Sequence, residues 1–214
     1  MDDNKIAVIT ASNIDDPVTH VEQTVKADFY NIPLSPRLPP RLEAKIPKMF
    51  GWQLKPDYQY YLWLDGNIQL NQPDTLKYFT EQIQGYDIVV IRHHRRPNIR
   101  QEVRYLRKGL REQSIYLVSR YKNELWKEQY DEICKDTDFV DDLLVIGGIF
   151  FYRNVPEVQK MMKEWWFHNS RYNIQDQISF PYVLKKSGIK YKVLDHDYTK
   201  WEMIKHIKHT QRDT

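Results

Sequence analysis

The amino-acid sequence predicts an α/β domain in which a mostly parallel mixed sheet is flanked by helices on both faces. Short apolar runs, rich in β-branched and aromatic residues, alternate along the chain with segments of helical periodicity. Such alternation is typical of strands joined by crossover helices. No internal repeat or low-complexity linker divides the 214 residues. The whole chain, residues 1–214, is therefore expected to form one domain.

The predicted strands are apolar, as expected for a sheet that is covered on both faces. They are residues 5–10, 27–32, 58–65, 86–91, 143–152 and 191–194. The strand over residues 58–65 has the strongest signal, because it is dense in aromatic residues and is stopped by Asp65, Gly66 and Asn67. Ligands of open α/β sheets bind outside the carboxyl ends of strands. This rule draws attention to Asp65, to Arg92 and to the region of Gly147 and Gly148.

Helices are predicted where apolar residues recur at spacings of three and four. Residues 41–50 are expected to be helical, with a break or restart at Pro47. A second helix is expected to begin at Pro73 and to end at Gly85. Further helices are predicted from about Asn98, over residues 155–167 and 174–186, and over 198–209 as a closing helix or tail.

Composition argues against several classes of protein. The single Cys134 excludes an internal disulfide and Cys-rich zinc or iron-sulfur sites, so any metal must use oxygen or nitrogen ligands. The seven glycines form no GxGxxG, GxxxxGK or GxSxG pattern. This argues against a dinucleotide-binding fold of the usual type, a P-loop enzyme and an α/β-hydrolase with a nucleophile elbow. No apolar stretch approaches 18 residues, and the chain begins with acidic residues rather than the lysines of a signal peptide. A cytoplasmic protein without a membrane span is expected.

A basic block lies at residues 92–111, which hold eight Arg or Lys against one Glu although the net charge of the chain is only +3. Four of these cations, Arg96, Arg100, Arg104 and Lys108, recur at a spacing of four and line one side of the predicted helix. Such a block is typical of a nucleic-acid or polyanion patch, or of a solvated helix face. A nucleic-acid-binding domain is therefore an alternative function. The small overall charge argues against it, and no specific nucleic-acid partner is expected.

Asp65 and Asn67 are candidate metal ligands. Residues two apart in an extended chain point to the same side, so both side chains could face one ion. Hard oxygen ligands suit Mg²⁺ or Mn²⁺ rather than Zn²⁺. However, Asp-Gly between apolar runs is also a strong hairpin signal. Composition alone leaves both interpretations open.

Three segments carry a resemblance to a known family. They are RLEAKIPKMFGWQLKPDYQYYLWLDGNIQL, VIRHHRRPNIRQEVRYL and NSRYNIQDQISFPYVL, which together span roughly residues 41–184. They resemble the successive signatures of small glycosyltransferases of plants, bacteria and large algal viruses, which in turn are similar to glycogenin-like enzymes. The resemblance implies the GT-A fold, in which a DXD motif holds a divalent ion on the diphosphate of a nucleotide sugar.

The resemblance also implies roles for individual residues. Asp65 and Asn67 occupy the outer positions of the DXD motif, with Asn in place of the second Asp. Mn²⁺ or Mg²⁺ is thus expected here, and more weakly in the absence of the diphosphate because one negative charge is missing. Gly147 and Gly148 resemble a pair of small residues that lies against the donor sugar. A pair of glycines that only permits close packing or a bulge is the alternative.

Asp176 and Gln177 resemble the Asp-Gln-Asp motif at the reactive end of these enzymes, although Ile178 replaces the third acid. Asp176 would orient the sugar or stabilise an oxocarbenium-like transition state, with Gln177 beside it. The alternative is a helix start with Asn173 as its cap and Asp176 in its first turn. Both interpretations can hold at once.

Further donor-binding residues follow from the same resemblance. Arg41 and Lys45 match positions that approach the nucleotide in relatives, with ordinary exposed helix cations as the alternative. Arg92, selected by its place at a strand end, would supplement them. The resemblance implies a histidine near the C-terminus as third metal ligand; the candidates are His196, His206 and His209, of which His206 or His209 is chosen. Each could instead be a surface histidine, because the motif that follows this histidine in relatives is absent. The adjacent Lys205 and Lys208 could contact phosphate.

The predicted function is the metal-dependent transfer of a sugar from a nucleotide-sugar donor, a UDP-sugar, to a hydroxyl group. The acceptor would be a glycan or glycoprotein, such as a viral capsid protein. Similarity to glycogenin-like enzymes favours retention of the anomeric configuration. A glycoside hydrolase using two of Asp65, Asp142 and Asp176 is a third class, but no sequence feature fixes the separation of these carboxylates.

Overall fold

A computed structural model describes residues 5–12, 18–35 and 37–207 of the chain. The strands are β1 (Ile6–Ala11), β2 (Asp28–Ile32), β3 (Tyr60–Leu64), β4 (Ile68–Leu70), β5 (Ile88–Arg92), β6 (Val145–Arg153), β7 (Tyr191–Leu194) and β8 (Ile204–His206). Six of them form the central sheet in the order β2-β1-β3-β6-β5-β7, and β4 pairs with β8 in a separate two-stranded sheet.

The central sheet is parallel except for β6, which runs antiparallel to both of its neighbours, β3 and β5. The predicted class, a mostly parallel mixed sheet with flanking helices, is therefore confirmed. Because β6 runs in the opposite direction, its amino-terminal half lies at the same edge of the sheet as the carboxyl ends of β3 and β5. This topology brings Asp65, Arg92 and Gly147-Gly148 to one edge.

The helices are α1 (Pro40–Glu43), α2 (Lys45–Leu54), α3 (Thr75–Gln82), α4 (Ile99–Arg111), α5 (Ile115–Tyr121), α6 (Trp126–Lys135), α7 (Pro156–Arg171) and α8 (Asp176–Lys186). On one face of the sheet, α2, α7 and α8 share a core with inward side chains such as Ile9 and Trp63. On the other face, α3 packs against alternate residues such as Val8 and Leu62. This alternation follows from the pleat of the strands. Among the described residues, no helix has both the length and the apolar character that a membrane crossing requires.

Three expectations about local structure were wrong. The helix predicted over residues 41–50 breaks at Ala44 instead of Pro47, which lies in the first turn of α2. Backbone N–H groups in a first turn have no helical partner, so proline is tolerated there. Gln175, rather than Asn173, is the N-cap residue of α8, because the side chain of Asn173 instead accepts a hydrogen bond from the Gln175 N–H at 2.8 Å.

The third expectation was a closing helix or tail over residues 198–209. Residues 204–206 instead form the short strand β8, in which His206 pairs with Ile68 of β4. The β4–β8 pairing engages backbone groups of both short strands, and the side chain of Ile204 is buried. Residues 208 and 209 of the predicted helix lie outside the part of the chain that the structure describes.

Candidate active site

Asp65 lies directly after strand β3, and its backbone N–H donates to the carbonyl of Gly148 on β6 at 2.8 Å. Residues 65–68 form a tight turn, in which the Ile68 N–H donates to the Asp65 carbonyl at 2.9 Å. The extended geometry expected for Asp65 and Asn67 was therefore wrong. The turn does not make a hairpin, however, because β3 and β4 belong to different sheets. Asn67 is exposed in the turn, so its side-chain oxygen is accessible.

The carboxylate of Asp65 is held through one of its two oxygens. Oδ1 accepts a hydrogen bond from Trp63 Nε1 at 2.9 Å and lies 3.1 Å from the ammonium group of Lys48. Oδ2 has no hydrogen-bond partner within the described residues, and the side chain is 44% exposed. Asp65 thus presents a fixed, accessible carboxylate oxygen at the carboxyl edge of the sheet.

Lys48, on helix α2, is the residue that sequence reasoning missed. Its ammonium group lies 2.7 Å from Oδ2 of Asp176 as well as 3.1 Å from Asp65, and its side chain is almost fully buried. Lys45, one turn earlier on the same helix, contacts the same oxygen of Asp176 at 2.6 Å. Two lysines of α2 and two carboxylates from distant parts of the chain therefore form one continuous ion-pair cluster.

Electrostatics keep this cluster charged. Burial alone would raise the pKa of Asp176, but Lys45 and Lys48 outweigh it and lower this pKa to about 2. Burial also acts to lower the pKa of Lys48, but Asp176 and Asp65 raise it to about 12. Burial dominates at Lys45 and lowers its pKa to about 8, so this lysine loses its proton most readily.

Asp176 is the first residue of helix α8 and is buried. Its second oxygen, Oδ1, accepts a hydrogen bond from Asn169 Nδ2 at 3.0 Å. Asn169 in turn accepts from the hydroxyl of Ser179 at 3.0 Å, so its amide is oriented by a further contact. A carboxylate at a helix N-terminus also gains from the helix dipole. Gln177, the next residue, is partly exposed, and no hydrogen bond fixes its side chain within the described residues.

The glycine pair of β6 separates the two carboxylates. A Cβ atom on Gly147 would lie 2.5 Å from the Cβ of Asp176, and one on Gly148 would lie 3.1 Å from Asp65 Oδ2. Close packing, one of the two interpretations offered for this pair, is therefore present in the structure. A sugar contact at the same glycines stays a prediction.

Tyr198 is a second residue that no sequence pattern singled out. A Cβ on Gly148 would lie 2.7 Å from its hydroxyl oxygen, which places this hydroxyl beside Asp65. Burial and the charge of Asp65 raise the pKa of Tyr198 well above its ordinary value. The ring of His206 packs edge-on against the Tyr198 ring with a centroid distance of 4.5 Å. The Nε2 atom of His206 is buried and has no hydrogen-bond partner among the described residues.

The other predicted residues lie around this cluster or away from it. Arg41 is exposed and donates to the carbonyl of Ser119 at 3.5 Å, and Arg92 pairs with Asp195. Lys205 is exposed and occupies the strand position before His206, on the opposite face of β8.

The structure thus brings Asp65, Lys45, Asp176, Gly147, Gly148 and His206 together, and it leaves Arg92 and Lys205 in other contacts or in solvent. Lys208 and His209 lie outside the described residues.

Within the described ranges, no three His, Cys, Asp or Glu side chains form a group that could hold a metal ion. A site built on Asp65 and His206 would need the Asn67 oxygen or non-protein ligands to complete it. A cavity of about 660 Å³ lies at the opposite edge of the sheet, lined by residues such as Lys5, Asp28 and Tyr58. It contains neither Asp65 nor Asp176, so the cavity and the ion-pair cluster are separate features.

A family model described as TOD1/MUCI70, glycosyltransferase-like domain, matches residues 31–209, which include every member of this cluster. The chain belongs to the TOD1/MUCI70 family. It is a glycosyltransferase, and membership implies a nucleotide-sugar donor and a glycan acceptor. A search of curated proteins found no match.

Several solved structures are similar to this TOD1/MUCI70 domain at low sequence identity. A glycosyltransferase involved in the glycosylation of the major capsid of PBCV-1 has 11% identity and a TM-score of 0.49, covering 89% of this chain and 81% of that chain. Mouse xyloside xylosyltransferase 1 has 11% identity and a TM-score of 0.43, covering 80% and 64%. The 4-diphosphocytidyl-2C-methyl-D-erythritol synthase of Anaerococcus prevotii has 10% identity and a TM-score of 0.46, covering 94% and 92%. These weak likenesses concern the overall fold alone.

The TOD1/MUCI70 domain has the mostly parallel, helix-flanked sheet that the sequence predicted. A signal for Lys48 was present in the sequence, because Arg41, Lys45 and Lys48 recur at spacings of four and three. Such a spacing places side chains on one helix face. The sequence contained no comparable signal for Tyr198, which approaches Asp65 only through the tertiary fold.

Proposed function

We propose that this protein transfers a glycosyl group from a UDP-sugar to a hydroxyl of a glycan or glycoprotein, with Mn²⁺ or Mg²⁺ bound at Asp65. A viral capsid glycoprotein is the specific acceptor that the sequence resemblance implied. The same resemblance favours retention at the anomeric carbon. Family membership supplies the reaction class, and the contacts around Asp65 and Asp176 support the donor and the metal.

One observation carries this proposal. Lys48 contacts Asp65 at 3.1 Å and Asp176 at 2.7 Å, so it joins the DXD-like position to the position that resembles the reactive-end motif. These acids are 111 residues apart in the sequence, and nothing in the sequence alone requires them to meet. A donor whose diphosphate binds near Asp65 would extend its sugar across Gly148 and Gly147 toward Asp176.

The residues at the DXD-like position fit a divalent cation. Asp65 Oδ2 lacks a hydrogen-bond partner within the described residues, and the adjacent Asn67 offers an amide oxygen in the exposed turn. His206 offers a buried nitrogen, Nε2, which has no hydrogen-bond partner among the described residues. A buried polar atom without a partner is costly, and a ligand would remove that cost. When bound, the ion would neutralise charge on the departing diphosphate as a Lewis acid.

The protein's own groups have separate tasks in this proposal. Lys48 holds Asp65 and Asp176 in one geometry. Lys45 adds a second positive charge, so that two ammonium groups balance the two carboxylates. Asp176 shares one oxygen with both lysines and the other with Asn169. Its carboxylate therefore fixes the lysines and adds negative potential where positive charge develops on the sugar. Gln177, which is partly exposed, is the neighbouring side chain that can contact the sugar directly.

Calorimetric titration with UDP in the presence and absence of Mn²⁺ tests the donor and the metal. UDP is expected to bind measurably only with the ion, and Asp65→Ala is expected to remove most of this binding while the protein stays folded. Asp142→Ala, which removes a carboxylate that pairs with Lys185 instead, serves as the matched control. Equal affinity for UDP in EDTA would contradict the metal site. Asn67→Asp is expected to tighten the free ion, because it restores one negative charge.

A further inference from the structure

The Tyr198 hydroxyl occupies a distinctive place in the candidate site. The position that a Cβ on Gly148 would take lies 2.7 Å from the phenolic oxygen and 3.1 Å from Asp65 Oδ2. Only a glycine at position 148 lets the phenol come this close to the strand. The hydroxyl and Asp65 Oδ2 therefore border the same small space above Gly148, and Oδ2 is the oxygen that the proposed metal would approach.

This hydroxyl has an unused hydrogen-bond donor. The described residues provide no hydrogen bond to it, whereas the hydroxyl of Tyr78 pairs with His196 and that of Tyr182 with Asp136. A phenol carries its proton at neutral pH. It can therefore donate to an anionic oxygen that enters the site.

The chain segment that carries Tyr198 is fixed on the fold. Tyr78 on α3 makes a hydrogen bond with the His196 ring at 2.8 Å. The His196 ring stacks on Trp201 with a centroid distance of 4.6 Å, and Trp201 packs against Phe79 of α3 at 5.8 Å. These contacts flank Tyr198 on both sides in sequence. Its hydroxyl is thus held in position before any ligand binds, which reduces the cost of orienting it.

We propose that the Tyr198 hydroxyl donates a hydrogen bond to the β-phosphate of the nucleotide-sugar donor and stabilises the diphosphate as it leaves. This inference rests on the proposed function and adds a catalytic residue to it. During transfer, the bond between the anomeric carbon and the β-phosphate oxygen breaks, and its electron pair stays on that oxygen. A bond forms between the anomeric carbon and the acceptor oxygen, and the proton of the acceptor hydroxyl passes to the departing diphosphate. The phenol keeps its proton, because a hydrogen bond to the growing negative charge suffices for stabilisation.

The test compares UDP with UMP, which lacks the β-phosphate. Tyr198→Phe is expected to weaken UDP binding by about tenfold or more, as for a hydrogen bond to a charged group. Its affinity for UMP and its melting temperature should stay within about twofold and a few degrees of wild type. Donor hydrolysis or transfer should fall by on the order of ten- to a hundredfold. Tyr58→Phe removes a phenol at the opposite edge of the sheet, where Tyr58 donates to Asp28 at 2.6 Å, and should change none of these quantities.

The outcomes distinguish a failure of the proposed function from a failure of the inference about Tyr198. If wild-type protein binds no UDP with Mn²⁺ present, the proposed function fails. If wild type binds UDP but Tyr198→Phe leaves the ratio of UDP to UMP affinity unchanged, the phosphate contact is wrong. Equal loss of UDP and UMP binding, together with weaker binding of Mn²⁺ alone, would show that Tyr198 only supports the His206 ring, and it would also overturn the inference.

Discussion

The side chain of Asp176 occupies the space above Gly147 that any other residue would fill. A Cβ on Gly147 would lie 2.5 Å from the Asp176 Cβ and 2.7 Å from its Oδ2. Both contacts are shorter than packed atoms allow, and neither partner can move freely. The glycine belongs to the central sheet, and the carboxylate is held by Lys45, Lys48 and Asn169.

Gly147→Ala is therefore expected to destabilise the protein by roughly 1–3 kcal/mol, the usual cost of inserting a methyl group into a packed site. Donor binding should weaken as well, because Asp176 and its lysines must shift. Gly51→Ala is the matched control, since the three atoms nearest to its Cβ would all belong to the Ile9 side chain, the nearest of them at 3.2 Å. Urea unfolding of both variants measures the difference. Equal stability of Gly147→Ala and wild type would contradict the observed packing.

Removing the Lys48 ammonium should leave two carboxylates without their common partner. Lys48→Met is expected to lower the free energy of unfolding by about 3–5 kcal/mol, the range for breaking a buried ion pair. A double-mutant cycle with Asp176→Asn should show strong coupling between the two positions. Lys205→Met, which removes an exposed lysine, should have little effect. Additive effects of Lys48→Met and Asp176→Asn would show that the pair is not formed in solution.

Asp176→Asn tests catalysis apart from folding. Turnover per folded molecule is expected to fall by on the order of a hundredfold or more, because the carboxylate sets the potential around the developing charge. The affinity for UDP should change only a few fold. Activity, UDP affinity and melting temperature are measured on one preparation. Normal turnover of the folded variant would leave Asp176 a purely structural residue.

Acid stability reports on the same carboxylate. The pKa of Asp176 in the fold is about 2, below the ordinary value of 3.8. Its contribution to stability is thus present above about pH 4 and is lost as the pH falls through about 2. The size of this contribution is about 2 kcal/mol. Asp176→Asn should flatten the pH dependence of the unfolding free energy between pH 4 and 2, whereas Asp142→Asn should not. An unchanged slope in Asp176→Asn would rule out the ion pairs as its source.

The exposed cations of helix α4 allow a test of the alternative function, nucleic-acid binding. These cations include Arg100 and Arg104. Arg96, expected on the same helix face, instead precedes the helix, pairs with the buried Glu102 and stacks on Tyr105. We expect only weak, salt-sensitive binding of DNA or RNA, in the range of about 1–100 µM typical of non-specific contacts. Fluorescence anisotropy at physiological salt measures it. Sub-micromolar binding that disappears in the double variant Arg100→Glu, Arg104→Glu would favour the alternative function.

The sequence predicted the central sheet well because most of its strands are apolar runs, such as the one ending at Leu64. Local patterns also identified Asp65 and Asp176 as candidates. Their connection through Lys48 could not be predicted, since it depends on how α2 packs against α7 and α8. The same limit applies to Tyr198. Strand β8 was missed because three residues are too few to show the alternation of apolar and polar side chains that predicts a strand. Its pairing with β4 exists only in the folded chain.

The pairing of β4 with β8 also bears on the order in which the protein acquires activity during synthesis. The Asn67 carbonyl accepts from the Ile207 N–H at 2.9 Å, so the turn after Asp65 is completed by residues 140 positions later. A ribosome delivers the chain from its N-terminus, and contacts between distant segments form slowly. The central sheet could collapse as soon as β7 emerges, but His206 and Tyr198 arrive afterwards. Nascent chains that stop short of residue 207 should therefore be compact and yet unable to bind a donor.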